Sequence, residues 1–100
     1  MAVALDGFEW DDGNRIKCQK HGVSVVAIEA LLLGSPRVTP DERHSSSEDR
    51  YIAVGRDSAG RAMFVAFTIR EREGRRLIRP VSARYMHRKE IEGYEEKEGS

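Results

Sequence analysis

Residues 61–70 constrain this chain more than any other ten. Met63, Val65, Phe67 and Ile69 fall on every second position, and a period of two marks a strand with one buried face. A helix would scatter those four side chains around its axis. The charged stretch 71–76 contains Gly74 and reads as a hairpin, returning the chain as a strand over 75–85. Pro80 gives that strand an edge or a bulge, because proline has no N–H for a ladder. With the turn centred near 73 and 74, residue 70 faces about 77, and Arg84 comes near Phe64 or Val65. Arg79 and Arg84 then point to opposite faces of a regular strand, unless the bulge at Pro80 changes the parity.

The rest of the chain supplies layers for this hairpin. A loop at 57–60 joins it to a strand over 50–55, and residues 8–10 alternate briefly as a short edge strand. Residues 12–21 hold helix formers, and Gly22 stands where a left-handed residue ends a helix. Ser24 can cap a second helix, whose Val25, Ile28, Leu31 and Leu32 share a face until Gly34 and Pro36 end it. Ser45, Ser46 and Ser47 read as loop. Residues 87–97 form a closing helix, with Glu90 three residues past a possible cap and Ile91 and Tyr94 on one side. The expected fold is α+β, a small antiparallel sheet with helices on one face in the order β-α-α-β-β-β-α. One hundred residues suit a single domain over 1–100.

Several function classes fall away on composition. At 34% charged residues, no stretch approaches the roughly 18 to 20 apolar residues of a membrane span. Residues 1–5 are apolar but lack the basic start of a secretory signal, so a cytoplasmic protein is expected. The lone Cys18 has no disulfide partner and no zinc-binding companion, and reads as a small buried hydrophobe. No cofactor is expected. The 17 basic and 17 acidic side chains cancel overall, yet the running charge is −3 over 1–60, +7 over 61–89 and −4 over 90–100. Thirteen of the basic residues are Arg, whose planar fork suits phosphate and carboxylate alike. A nucleic-acid backbone and an acidic protein surface both fit.

Individual residues carry two readings each. Lys20 and His21 sit where helix capping favours cations, and equally where a proton could be handled beside a phosphate. The arginines either form a solvated, ion-paired face or bind phosphate. His44 with Glu48, and His87 with Glu90, have metal-binding residue types but no convergent third ligand, so no metal is expected. Trp10, Phe64 and Phe67 read as core before base-stacking platforms.

Five segments in order, Phe8-Glu9-Trp10-Asp11, Lys20-His21-Gly22-Val23, Glu48-Asp49-Arg50-Tyr51-Ile52-Ala53-Val54-Gly55, Phe67-Thr68-Ile69-Arg70 and Val81-Ser82-Ala83-Arg84, resemble the BrnT family of bacterial toxins. The resemblance spans about residues 8 to 95. It implies a RelE-like ribonuclease fold that cuts RNA without a metal and inhibits translation. It also implies neutralisation by a BrnA-type antitoxin carrying a ribbon-helix-helix domain, through which alone operator DNA is bound. Carried over by position, Lys20, His21, Arg70 and Arg84 are the expected catalytic set. Arg50, Arg79, His87 and Glu48 are the expected RNA-binding group. The implied reaction is attack of a ribose 2′-hydroxyl on the adjacent phosphate, with the arginines stabilising charge and Lys20 or His21 moving a proton. Pro80 and Tyr85-Met86-His87 depart from the common family pattern, and the second departure brings His87 toward the site. The competing reading keeps the fold without cleavage, the Arg-rich face docking an acidic protein or RNA. Loss of cleavage on substituting Arg70 or Arg84 in a folded chain separates the two.

Overall fold

The computed structural model describes residues 6–42 and 48–98; His44 and the serines at 45–47 lie outside them. Its centre is the hairpin of β4 (Ala62–Arg72) and β5 (Arg75–Tyr85). They pair antiparallel, with Arg70 opposite Leu77 and Phe64 opposite Arg84, the register that the turn position predicts. Glu73 and Gly74 form the turn with φ of 53° and 78°, and two positive φ values match the twist of the flanking strands. β3 (Arg50–Arg56) runs antiparallel to β4.

Three features correct the expected architecture. First, the segment after Pro36 is not only loop: β2 (Arg37–Pro40) pairs antiparallel with β3. Pro40 tolerates this because β2 is an edge strand, where a missing N–H breaks no ladder. The order is therefore β-α-α-β-β-β-β-α. Second, β1 (Gly7–Phe8) runs parallel to β5, so the five-stranded sheet, ordered β1-β5-β4-β3-β2, is mixed. No tight turn links these two strands, so nothing forces an antiparallel pairing. Third, the helices do not share one face.

α1 (Asp12–Gln19) begins with a capping box, the Asp11 carboxylate accepting from the Asn14 N–H at 3.0 Å and Asn14 Oδ1 from the Asp11 N–H at 2.7 Å. It ends before Gly22, whose φ is 85°. Ser24 caps α2 (Val25–Leu33) as expected, its hydroxyl accepting from the Ala27 N–H. Cys18, Val23, Ile28, Leu31 and Leu32 pack on the sheet face presented by Ala53, Met63, Val65, Phe67, Ile78 and Ala83. Gly55 lets α2 settle closely on β3, since a Cβ there would stand 3.0 Å from Leu31 Cδ1. α3 (Arg88–Glu98) crosses to the opposite face. There Glu90 meets Arg84 and Glu95 meets Arg56, and Tyr94 borders a cavity with Arg37, Thr39 and Val54. Two arginines drawing acidic residues of α3 onto that face explain the crossing.

The predicted irregularity at Pro80 is present and is one residue long. Ala66 lies opposite Ser82 but Phe67 opposite Pro80, leaving Val81 as the extra residue of a bulge. This restores Arg79 and Arg84 to one face. Asn14 anchors the bulge to α1, donating from Nδ2 to the Pro80 carbonyl at 2.9 Å and to the Glu9 carbonyl at 3.0 Å.

Candidate functional site

The face opposite α1 and α2 is built in rows, because residues paired across strands project on the same side. Arg50, Thr68 and Arg79 form one row; Ile52, Ala66 and Ser82 the next; Val54, Phe64 and Arg84 a third. Arg70 stands one step outside the first row, opposite Leu77. The bulge makes this possible: without Val81, Arg84 would face the core.

At the hairpin end the arginines are tied to carboxylates. Glu9, which leaves β1 alongside β5, accepts from Arg72 Nε at 2.7 Å and Arg79 Nη1 at 3.2 Å, with Arg70 Nη1 at 3.9 Å. Its side chain is 18% exposed, and the Arg72 hydrogen bond, reinforced by the charges of Arg72, Arg79 and Arg70, holds its carboxyl below the usual range. Arg79 also reaches Asp11 at 2.9 Å. Asp11 is likewise held low, first by the Asn14 N–H and then by Arg79. Glu48 grips Arg70 through both oxygens, at 2.9 and 3.2 Å, and the Arg70 guanidinium is stabilised in its charged form mainly by that bond. In the middle of this cluster the Thr68 hydroxyl is buried without a hydrogen-bond partner among the described residues.

The other end is differently made. His21, from the turn after α1, and Arg84, Tyr85, Met86 and His87, from the end of β5, line a pocket of about 430 Å³. Among the described residues β1 pairs with β5 only at Leu77 and Ile78, so no strand pairs with this end of β5 and both sheet faces reach the pocket. The Arg84 guanidinium carbon lies over the Phe64 ring, 4.1 Å from its centroid. Its two terminal nitrogens donate to the two Glu90 oxygens, each at 2.7 Å. The Arg84 bond, with help from the His87 N–H at 2.9 Å, pulls the Glu90 carboxyl down to about 2. That backbone bond also fulfils the cap expected three residues before Glu90. Among the described residues, neither the His21 nor the His87 imidazole is engaged in a hydrogen bond. Two titratable rings and a forked cation around one pocket can move two protons and hold an oxyanion.

The expected set therefore divides. His21 and Arg84 meet at one pocket, and His87 joins them. Arg70 lies six residues along β4 from Phe64, about 20 Å away at ordinary strand rise, in company with Glu48, Arg79 and Arg50. Lys20 is exposed on the turn and does not line the pocket. Phe67 is core, Trp10 packs against the core with its indole N–H on Glu29, and Phe64 instead underlies Arg84 on the opposite face. Glu9 and Asn14, neither singled out in sequence, organise the hairpin end. Glu9 lies within the first of the five family-like segments, and Asn14 stands three residues after Asp11, a capping spacing that the Asp-Asp-Gly-Asn run carries openly.

Residues 10–90 match the family described as the ribonuclease toxin, BrnT, of type II toxin-antitoxin systems. No curated protein is significantly similar to the chain. The matched span covers most of the sequence, and the chain belongs to this family. An RNA substrate and a cognate antitoxin come with that membership, and among the described residues no helix is long and apolar enough to cross a membrane.

Proposed function

We propose that this ribonuclease toxin is a metal-independent endoribonuclease of RelE-like fold, whose reacting phosphate sits in the pocket of His21, Arg84 and His87. One observation carries the reading: two imidazoles with no hydrogen-bond partner among the described residues share a cavity with a guanidinium held over an aromatic ring. One imidazole, neutral, takes the proton of the ribose 2′-hydroxyl as its oxygen attacks the neighbouring phosphorus. The other, protonated, gives a proton to the departing 5′-oxygen, leaving a 2′,3′-cyclic phosphate and a free 5′-hydroxyl. Arg84 holds the non-bridging oxygens as negative charge builds on them. Its fork already holds the two oxygens of Glu90 in the free chain, a spacing equally suited to two phosphate oxygens. No step calls for a Lewis acid.

Arg50, Arg70 and Arg79 guide the RNA backbone across the same face in this reading, and Glu48 orients Arg70. The protein acts in the cytoplasm as one domain over 1–100, inhibits translation by cutting RNA, and is silenced by a BrnA-type ribbon-helix-helix antitoxin. The hairpin end favours a role beside cleavage as well, because arginines that already hold Glu9, Asp11 and Glu48 suit an acidic antitoxin segment.

Incubation with a structured RNA in excess EDTA, alongside Arg84→Ala, tests the proposal. Cleavage by the parent and its loss in the folded variant support it. Equal cleavage by both takes Arg84 out of the reaction and overturns the proposal, and cleavage by neither, on free RNA or on ribosomes, overturns it in favour of a binding module.

A further inference from the structure

A second and larger cavity, of about 600 Å³, opens between α2 and the loop joining β3 to β4. Tyr85 lines both this groove and the pocket of His21, Arg84 and His87, and Gly22 lines the groove directly beside His21. We infer that the groove is a nucleobase subsite, receiving the base next to the phosphate held by Arg84. The inference rests on the cleavage reading above.

The occupant follows from continuity and chemistry. A nucleotide spanning Tyr85 places its phosphate in one cavity and its base in the other. A base has flat apolar faces and a polar edge, and the lining of the groove has both counterparts: Ala27 and Ala30 on α2, and the hydroxyl residues Ser24 and Ser58. Arg61 supplies a plane. Its guanidinium lies 4.1 Å from the Tyr85 ring centroid, fixed by bonds to Tyr85 Oη at 2.7 Å and Asp57 Oδ2 at 3.1 Å. Asp57 is committed to that scaffold, since it also accepts from the N–H groups of Ala59 and Arg61 and from the Tyr85 hydroxyl. The Arg61 side chain stays 61% exposed, so its outer face is open to a base, and guanidinium planes stack bases much as aromatic rings do. Small lining residues matter because a longer side chain at Ala30 would fill the space a base needs.

The test titrates the intact protein, in EDTA, with the four nucleoside 5′-monophosphates and with ribose 5-phosphate as the base-free control, following the backbone and alanine methyl resonances by NMR. Stacking one base is worth roughly tenfold to a hundredfold in affinity, so at least one nucleotide is expected to bind tenfold tighter than ribose 5-phosphate and to shift Ala27 and Ala30. Ala30→Leu, an exposed helical position that accepts a good helix former, should erase that advantage without weakening ribose 5-phosphate. Arg61→Lys, keeping the charge and losing the plane, should erase most of it. Nucleotides no tighter than ribose 5-phosphate overturn the inference, as does an advantage that survives Ala30→Leu. An Ala30→Leu chain that loses only antitoxin affinity makes the groove a protein-docking face instead. Failure of the EDTA cleavage assay would sink the ribonuclease reading, while the titration still decides the groove.

Discussion

The two ends of the open sheet face use the same residue type for opposite purposes. At the hairpin end Arg70, Arg72 and Arg79 surround Glu9 and are backed by Asp11 and Glu48, so each cation has a carboxylate close by. At the other end Arg84 has one carboxylate, contributed by the closing helix, and two imidazoles beside it. The first arrangement gathers several cations around shared carboxylates; the second sets one bidentate pair beside two imidazoles that have no hydrogen-bond partner among the described residues. An arginine-rich segment is therefore a poor guide to a reactive centre until its counter-ions are located.

Substitution is the strongest way to break this contrast. Arg84→Ala should lower kcat for RNA cleavage by about 10² to 10³, the range for losing one oxyanion-stabilising donor. Arg70→Ala should leave kcat on a short RNA within about threefold and act through KM, because it is too remote to touch the reacting phosphate. Equal losses in steady-state kinetics would show that the two ends work as one site. Next in size is a stability effect. Asn14→Ala removes half of the capping box and strands the buried Pro80 carbonyl, and should cost about 2 to 3 kcal/mol in urea unfolding. Most of that loss should appear as loosening of α1 from β5 in hydrogen exchange.

A third test titrates the Arg84 partnership. Glu90 is held at about 2 against an ordinary value of 4.5, so its contribution is complete above pH 4.5 and is lost as pH falls from there toward 2. NMR signals of α3 should therefore shift over that window in the parent and not in Glu90→Gln. The same variant at neutral pH should lower KM for RNA a fewfold, having freed the Arg84 fork. The smallest effect belongs to the hairpin end. Thr68→Val removes an unpartnered buried hydroxyl and should raise stability by up to about 1 kcal/mol with no change in cleavage.

Local signals in the sequence were faithful where the structure is local. The alternation of Met63, Val65, Phe67 and Ile69 marks the face that packs under Ile28 and Leu32, Ser24 caps the helix it precedes, and Glu90 stands in the third helical position. The long-range features were less legible. Strand β2 has only four residues and ends in proline, too short for a periodic pattern. The parallel placement of β1 is decided by two residue pairs far apart in sequence. The side of the sheet taken by α3 depends on Arg56 and Arg84 meeting Glu95 and Glu90, which no spacing within the helix reveals. For the site, His21 and Arg84 were visible as candidates, and the register already set Arg84 beside Phe64 and Arg70 beside Leu77; that His21 and His87 join Arg84 at one pocket, and that Glu9 gathers Arg70, Arg72 and Arg79, was not, because those contacts are made between elements far apart in the sequence.

Val81 has a consequence for how this sequence can change. One residue without a partner splits β5 into two segments of opposite phase, Ile78 and Pro80 facing inward before it, Ala83 after it. Deleting it would not shorten the strand so much as invert its second half, sending the Arg84 guanidinium toward Met63 and Val65 and turning Ala83 to the surface. In the proposed reading of Arg84, activity therefore hangs on counting as much as on chemistry. Substitutions along this strand can be absorbed one at a time, whereas an odd-numbered insertion or deletion would turn Arg84 away from its present face in a single step.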